Sequence, residues 1–216
     1  MDEVTHTALA QYVRDLFAPE DEALRSIRAA SEAEGLPQIH IKPEEGRMLQ
    51  FVLAANGARR VVEIGALAGY SGTWIARALP EGGKLISLER DPHHAEVARA
   101  SFERAGVADR VEVRVVDARD YLKTLTAEGP FDAVFIDAAK GDYPHYLDWA
   151  INNVRVGGLV LAHNAFWGGA VVNAARRPDR DLKGLLAFNR RLAEDSRLLA
   201  TILPVGDGIA AAVRVL

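Results

Sequence analysis

Between residues 60 and 162, five short apolar runs alternate with four stretches of helical spacing, and this rhythm constrains the fold more than any other feature. The runs fall at 60–64, 84–89, 111–116, 131–136 and 157–162, with helical patterns at about 71–79, 92–105, 118–126 and 143–153. Short runs that are apolar throughout read as strands buried on both faces. Strands alternating with helices build a parallel sheet through right-handed crossovers. A further helix fits 179–195, and two more strands fit Leu198–Leu203 and Ile209–Val215. Only Pro204-Val205-Gly206-Asp207-Gly208 joins that last pair. Such a link is too short for a parallel crossover, so the pair must form an antiparallel hairpin. The fold class is therefore α/β, with a mostly parallel sheet.

Ahead of the sheet, residues 3–17 and 20–34 carry apolar side chains at helical spacing and are separated by Pro19. Pro43-Glu44-Glu45 opens a third helix, with acids at its positive dipole end, and Asn56-Gly57 closes it. No repeat, low-complexity tract or linker divides the chain. We read 1–216 as one domain, with 1–57 as N-terminal helices packed on the core or on a partner chain.

Composition narrows the function classes. The net charge is −4, which disfavours a nucleic-acid or polybasic membrane binder. There is no cysteine, so disulfides, thiolate metal sites and cysteine nucleophiles are excluded. No run is long enough to cross a membrane, and the acidic start lacks the pattern of a signal peptide. A cytoplasmic protein is expected. Lys is scarce beside Arg, 5 against 21, which gives a site lysine slightly more weight.

In an open α/β sheet, ligands bind outside the carboxyl ends of the strands. The first strand runs into Val61-Val62-Glu63-Ile64-Gly65-Ala66-Leu67-Ala68-Gly69-Tyr70-Ser71. Its glycines are spaced G-x-x-x-G, not the dinucleotide spacing G-x-G-x-x-G. Glu63 suits an amine and repels a pyrophosphate, while Ser71 at a helix start suits a carboxylate. Glu89 ends the second strand, where a ribose diol could be held, and Asp117-Ala118 ends the third, where adenine could be read. Amino acid, ribose and adenine together make S-adenosylmethionine. The bland alternative is a tight turn followed by solvated strand ends. A nucleotide-dependent oxidoreductase is the rival from another class, and Glu63 and the glycine spacing argue against it.

After the fourth and fifth strands come Asp137-Ala138-Ala139-Lys140 and His163-Asn164. A carboxylate, an amine, an imidazole and an amide should converge there, a set able to bind a metal and move a proton.

The stretches VVEIGALAGYSGTWIARALP, KLISLERDP, VFIDAAKGDYPHY and LPVGDGI identify a resemblance. From about Lys42 to Leu216 the chain resembles the class I S-adenosylmethionine-dependent O-methyltransferases of the catechol and caffeoyl-coenzyme-A type. The resemblance implies a Rossmann-like, doubly wound seven-stranded sheet, mostly parallel with an antiparallel C-terminal hairpin strand, plus N-terminal helices. It implies cofactor binding by Ile41, Glu63, Gly65, Gly69, Tyr70, Ser71, Glu89, Asp117, Ala118 and Asp137. It implies a metal at Asp137 and Asn164, Lys140 as general base, a small aromatic substrate and a homodimer.

The family pattern has Asp-Asn where this chain has His163-Asn164. Three readings compete. His163 could be a ligand, favouring Mn²⁺, Zn²⁺, Co²⁺ or Fe²⁺ over Mg²⁺. It could be a base or hydrogen-bond donor in a metal-independent enzyme. Catalysis could also be lost, leaving a cofactor-binding protein. Beside these stands a strand-end histidine with no role. Tyr143, Tyr146 and Trp149 read as core. Phe166 and Trp167 read equally as core or as the wall of an aromatic pocket. His93 and His94 read as solvated, and Arg176 and Arg177 as a solvated loop that could meet an acidic substrate.

Overall fold

The alternation closes into one seven-stranded sheet. In the computed structural model, which describes residues 3–173 and 178–216, five strands run parallel. They are β1 (Arg60–Ile64), β2 (Lys84–Glu89), β3 (Val111–Val115), β4 (Phe131–Ile136) and β5 (Val154–Ala162). β6 (Leu198–Leu203) and β7 (Ile209–Arg214) form the expected hairpin. The strand order is β3-β2-β1-β4-β5-β7-β6, with β7 antiparallel to both neighbours. The chain runs outward from β1 to β3 and then crosses back to β4. The order therefore reverses between β1 and β4, which is where ligands bind in such sheets.

Helices cover both faces, and the strand residues alternate between them as the pleat requires. Val62, Ile64, Val134 and Ile136 face α6 (Ala118–Leu125), α7 (Tyr143–Asn153) and α8 (Arg180–Glu194). Val61, Ala133 and Phe135 face α2 (Glu22–Ala33), α3 (Pro43–Asn56) and α4 (Tyr70–Ala78). α5 (Pro92–Arg104) packs beside β3, with Phe102 buried. Each fully buried Leu, Ile or Phe in these layers contributes about 1.5–3 kcal/mol.

α2 belongs to the core through Leu24 and Ile27. Asp21 caps it by accepting from the Leu24 N–H, which sets its start at Glu22. α1 (Glu3–Phe17) is tied down by Arg14, whose guanidinium bonds both oxygens of Glu44. Its Leu9, Tyr12, Leu16 and Phe17 remain exposed. β5 begins at Val154, three residues before the sequence-based start, because Phe131 pairs with Val154 ahead of a register shift. Arg176 and Arg177 lie outside the described residues. No helix among the described residues is long and apolar enough to cross a membrane.

Candidate active site

A cavity of about 730 Å³ opens along the carboxyl ends of β1, β2, β3, β4 and β5. Its first wall is the glycine loop after β1. Gly65 has φ +101°, and a Cβ there would sit 2.1 Å from the Asp137 carbonyl oxygen. Only glycine lets the ends of β1 and β4 close to that distance. Glu89, buried, binds the loop from the next strand. Its Oε2 accepts from the Ala66 and Leu67 N–H groups at 3.1 and 2.9 Å, and its Oε1 accepts from the Asp91 N–H. A carboxylate has about four acceptor positions, so one remains for a ligand hydroxyl.

Gly69, at φ +84°, precedes α4 with no side-chain cap. Free N–H groups at that helix end suit an anion such as a carboxylate. Ser71 lines the cavity there and donates to Glu63 at 2.6 Å, while Ser87 donates to the other Glu63 oxygen at 2.5 Å. Burial pushes Glu63 up to about 7 against the pull of these two hydroxyls. Glu63 and Gly69 stand behind the wall, and Ile41, Gly65, Tyr70, Ser71, Glu89, Asp117, Ala118 and Asp137 form it. Asp117 caps α6 and is held by Arg119, whose hydrogen bond lowers its pKa.

At the other end lies a chain of alternating charge, buried except at Asp137. Lys140 Nζ donates to Asp137 Oδ1 at 3.0 Å and to Tyr143 Oη at 2.6 Å. The Tyr143 hydroxyl lies within reach of the Ile136 and His163 carbonyls, at 3.1 and 3.2 Å. Its own proton goes to one of them, leaving its lone pairs for Lys140. His163 Nδ1 lies 3.2 Å from Asp137 Oδ2, an ion-pair contact whose geometry falls short of a hydrogen bond. Its Nε2 lies 3.1 Å from Glu45 Oε1. Glu45 also accepts from the Asp207 N–H on the same oxygen and from the Lys42 N–H on Oε2.

These neighbours set the charges. Burial would lower His163, but Asp137 and Glu45 together push it up to about 9. Burial would raise Asp137, but Lys140 and His163 hold it at about 2. Burial would likewise raise Glu45, and His163 with the two N–H donors keeps it below its ordinary value.

A stability prediction follows from the His163 shift. With a folded pKa above the unfolded 6.5, its contribution is fully present below 6.5 and is lost as pH rises through about 9. The melting temperature of the wild-type chain should therefore fall more steeply above neutral pH than that of His163→Asn. Parallel curves for the two proteins would count against a charged ring.

The ligands implied for a divalent cation, Asp137, His163 and Asn164, line this end of the cavity. Among the described residues no group of three or more His, Asp or Glu side chains is arranged to hold one. Asp137 spends one oxygen on Lys140 and the other on His163. Asn164 turns its amide nitrogen to Asp207 Oδ2 at 2.9 Å. A hard cation takes an oxygen-rich shell, which these side chains leave unbuilt.

Several residues that matter escaped the sequence reading. Glu45 and Asp207 come from α3 and the β6–β7 turn, and only the fold brings them to His163. His40 lines the cavity, and burial and nearby Arg28 lower it to about 4. His94, read as solvated, also lines the cavity and lies 3.8 Å from Glu89. Tyr143 is core, as expected, but its hydroxyl also positions Lys140. Trp167 walls the cavity, while Phe166 packs against Gly208.

The model of a family described as O-methyltransferase matches residues 14–215. The chain belongs to the O-methyltransferase family. It is 43% identical over 199 residues to the catechol O-methyltransferase of Mycobacterium tuberculosis, covering 90% of this chain and 89% of that one. It is 40% identical over 209 residues to the catechol O-methyltransferase of Niastella koreensis, covering 94% of each. The O-methyltransferase TomG from Streptomyces achromogenes, solved in complex with S-adenosylmethionine, superposes with a TM-score of 0.91 at 36% identity, covering all of both chains. The Bacillus cereus O-methyltransferase bound to S-adenosylhomocysteine gives 0.89 at 37% identity, covering 96% of this chain and 97% of that one. The seven-stranded architecture is that of this O-methyltransferase family.

Proposed function

We propose that this O-methyltransferase moves a methyl group from S-adenosylmethionine to a hydroxyl of a small catechol-like or caffeoyl-type substrate. One observation carries the reading. A single cavity joins the Ser71–Glu89–Asp117 wall to the Lys140–Asp137–His163 cluster and the Trp167 ring.

The cofactor supplies an electrophilic methyl group on a sulfonium. The open end of α4, with the Ser71 N–H, suits its carboxylate, Glu89 its ribose, and Asp117 with Ala118 its adenine. Trp167 provides a face for an aromatic ring. A phenol has a pKa of about 10 and is a weak nucleophile at neutral pH. His163 places positive charge where the phenolate forms, which favours loss of its proton. Lys140 is the base of the proposal once its ammonium has released the proton it holds beside Asp137. Asp137 and Tyr143 fix its amine on two sides and leave its third position for the substrate hydroxyl. The buried walls exclude water, and proximity adds to the rate.

The test is titration with S-adenosylmethionine, followed by methyl transfer to ortho-diphenols. Wild-type protein should bind and turn over, and Glu89→Gln should weaken binding by about tenfold or more, since a charge-accepted hydrogen bond contributes about 1.5–3 kcal/mol. Cofactor binding without transfer to any phenol would sink the reading. The exposed Leu9, Tyr12, Leu16 and Phe17 of α1 support a homodimer as part of this proposal. Light scattering that shows a monomer would remove that part.

A further inference from the structure

We propose that Asp181, on α8, is a positioning residue for methyl transfer: it fixes the turn that carries Lys140 and so aims the amine at the substrate hydroxyl. The inference rests on the function proposed above, in which Lys140 is the base, and deepens it.

Lys140 stands on a single 3₁₀ turn, Lys140–Asp142, between β4 and α7. So short a helix has little stability of its own, and its orientation comes from what packs on it. Asp181 supplies the tie. Its Oδ1 accepts from the Gly141 N–H at 2.7 Å, across 40 residues of sequence. A carboxylate acceptor makes such a bond roughly twice as strong as a neutral one.

Two glycines let α8 come this close. A Cβ on Gly184 would lie 2.4 Å from the Lys140 carbonyl oxygen and 2.6 Å from Gly141 Cα. A Cβ on Gly141 would lie 2.9 Å from Arg180 Nε. The helix therefore meets the backbone of Lys140 itself. It reaches the amine as well. Phe188 packs edge-on against the Tyr143 ring, with centroids 5.2 Å apart, and the Tyr143 hydroxyl accepts from Lys140 Nζ. Residues 181, 184 and 188 recur at i, i+3 and i+7, which puts them on one face of α8. That one face grips Lys140 at both ends, its peptide through Asp181 and its amine through Tyr143. Arg180 adds an ion pair to Asp142, the last residue of the same turn.

α8 has a second polar tie, which serves as a control. Arg191 pairs with Asp148 of α7. If Asp181 only held α8 to the domain, removing either tie would have the same consequence for turnover.

The experiment uses the full chain. Lys140 Nζ lies 4.7 Å from the centroid of the Tyr143 ring and 5.7 Å from that of Trp167. Ring currents should shift its neighbouring methylene signal upfield in protein labelled with ¹³C-lysine, and the chain has only five lysines. Lys140→Met assigns the signal by removing it. In Asp181→Ala the signal should move toward that of an exposed lysine, and kcat should fall by about a hundredfold, the scale of a misplacement of about 1 Å. Cofactor affinity and KM for the phenol should stay as they were. Asp181→Asn, which keeps an oxygen acceptor, should recover part of both losses. Arg191→Ala should lower the melting temperature and leave kcat and the lysine signal unchanged. Wild-type kcat in Asp181→Ala, an unmoved lysine signal in that variant, or an equal loss of kcat in Arg191→Ala would each overturn the proposal. If Asp181→Ala does not fold, Asp181→Glu keeps the charge and displaces the acceptor by one methylene, and the same shift of signal and loss of kcat are required of it. If the wild-type chain methylates no phenol, the proposed substrate class fails, and the lysine signal alone decides this inference.

Discussion

Gly65→Ala should unfold the cofactor end of the cavity. The new Cβ would lie 2.1 Å from a backbone oxygen of Asp137, and at φ +101° an L side chain is strained whatever the space. Neither β1 nor β4 can retreat, because the two strands are paired up to Ile64 and Ile136. Overpacking and backbone strain together give a loss of about 2–6 kcal/mol. Cofactor binding should fall below detection, since Asp137 and the glycine loop share that contact. The control is Gly57→Ala at the end of α3, with φ +67° and nothing within 4 Å of the added atom. It meets conformational strain alone and should cost about 1 kcal/mol. Thermal denaturation and calorimetric titration of both variants provide the check. Equal stability of the two would refute the close-approach explanation.

The second large effect belongs to Asp137. It is the carboxylate between two buried cations, Lys140 on one oxygen and His163 on the other. Asp137→Ala leaves both facing each other across the space it vacates. Breaking a buried pair by removing one partner costs about 3–5 kcal/mol. Methyl transfer should fall by about 10²–10⁴-fold, the usual contribution of positioned proton-transfer groups. The diagnostic variant is the double one, Asp137→Ala with Lys140→Met. Removing both partners relieves the uncompensated charge, so its stability loss should be smaller than the sum of the single losses. Additive losses in denaturant melts would show that the two side chains do not share a charge network.

Much of the fold was legible because its sheet is covered on both sides. Runs such as Ala133-Val134-Phe135-Ile136 are buried throughout and stand out against amphipathic helices. The short link after β6 revealed the hairpin. It did not reveal that β7 enters between β5 and β6, because that choice rests on pairing between distant segments. The site divides in the same way. Asp137, Lys140 and His163 each follow an apolar run, and position alone brought them forward. Glu45 lies 118 residues from His163 and looked like an acid complementing a helix dipole. It does serve the α3 terminus through the Lys42 N–H, and that local task concealed the distant one. His94 was misread because the pattern at a helix start says nothing of which neighbour shields it.

Three residues that are not glycine adopt positive φ among the described residues: Leu67, Asn164 and Trp167, at +48°, +57° and +49°. All three line the cavity. The left-handed region costs most L side chains about 1–2 kcal/mol, asparagine excepted, so Leu67 and Trp167 would be more comfortable as glycine. The rim of this site is thus a map of conflict between durability and use. Glycine at these places should harden the protein against heat while blunting its selectivity, and a search for thermostable variants will be drawn toward the changes an active enzyme can least accept.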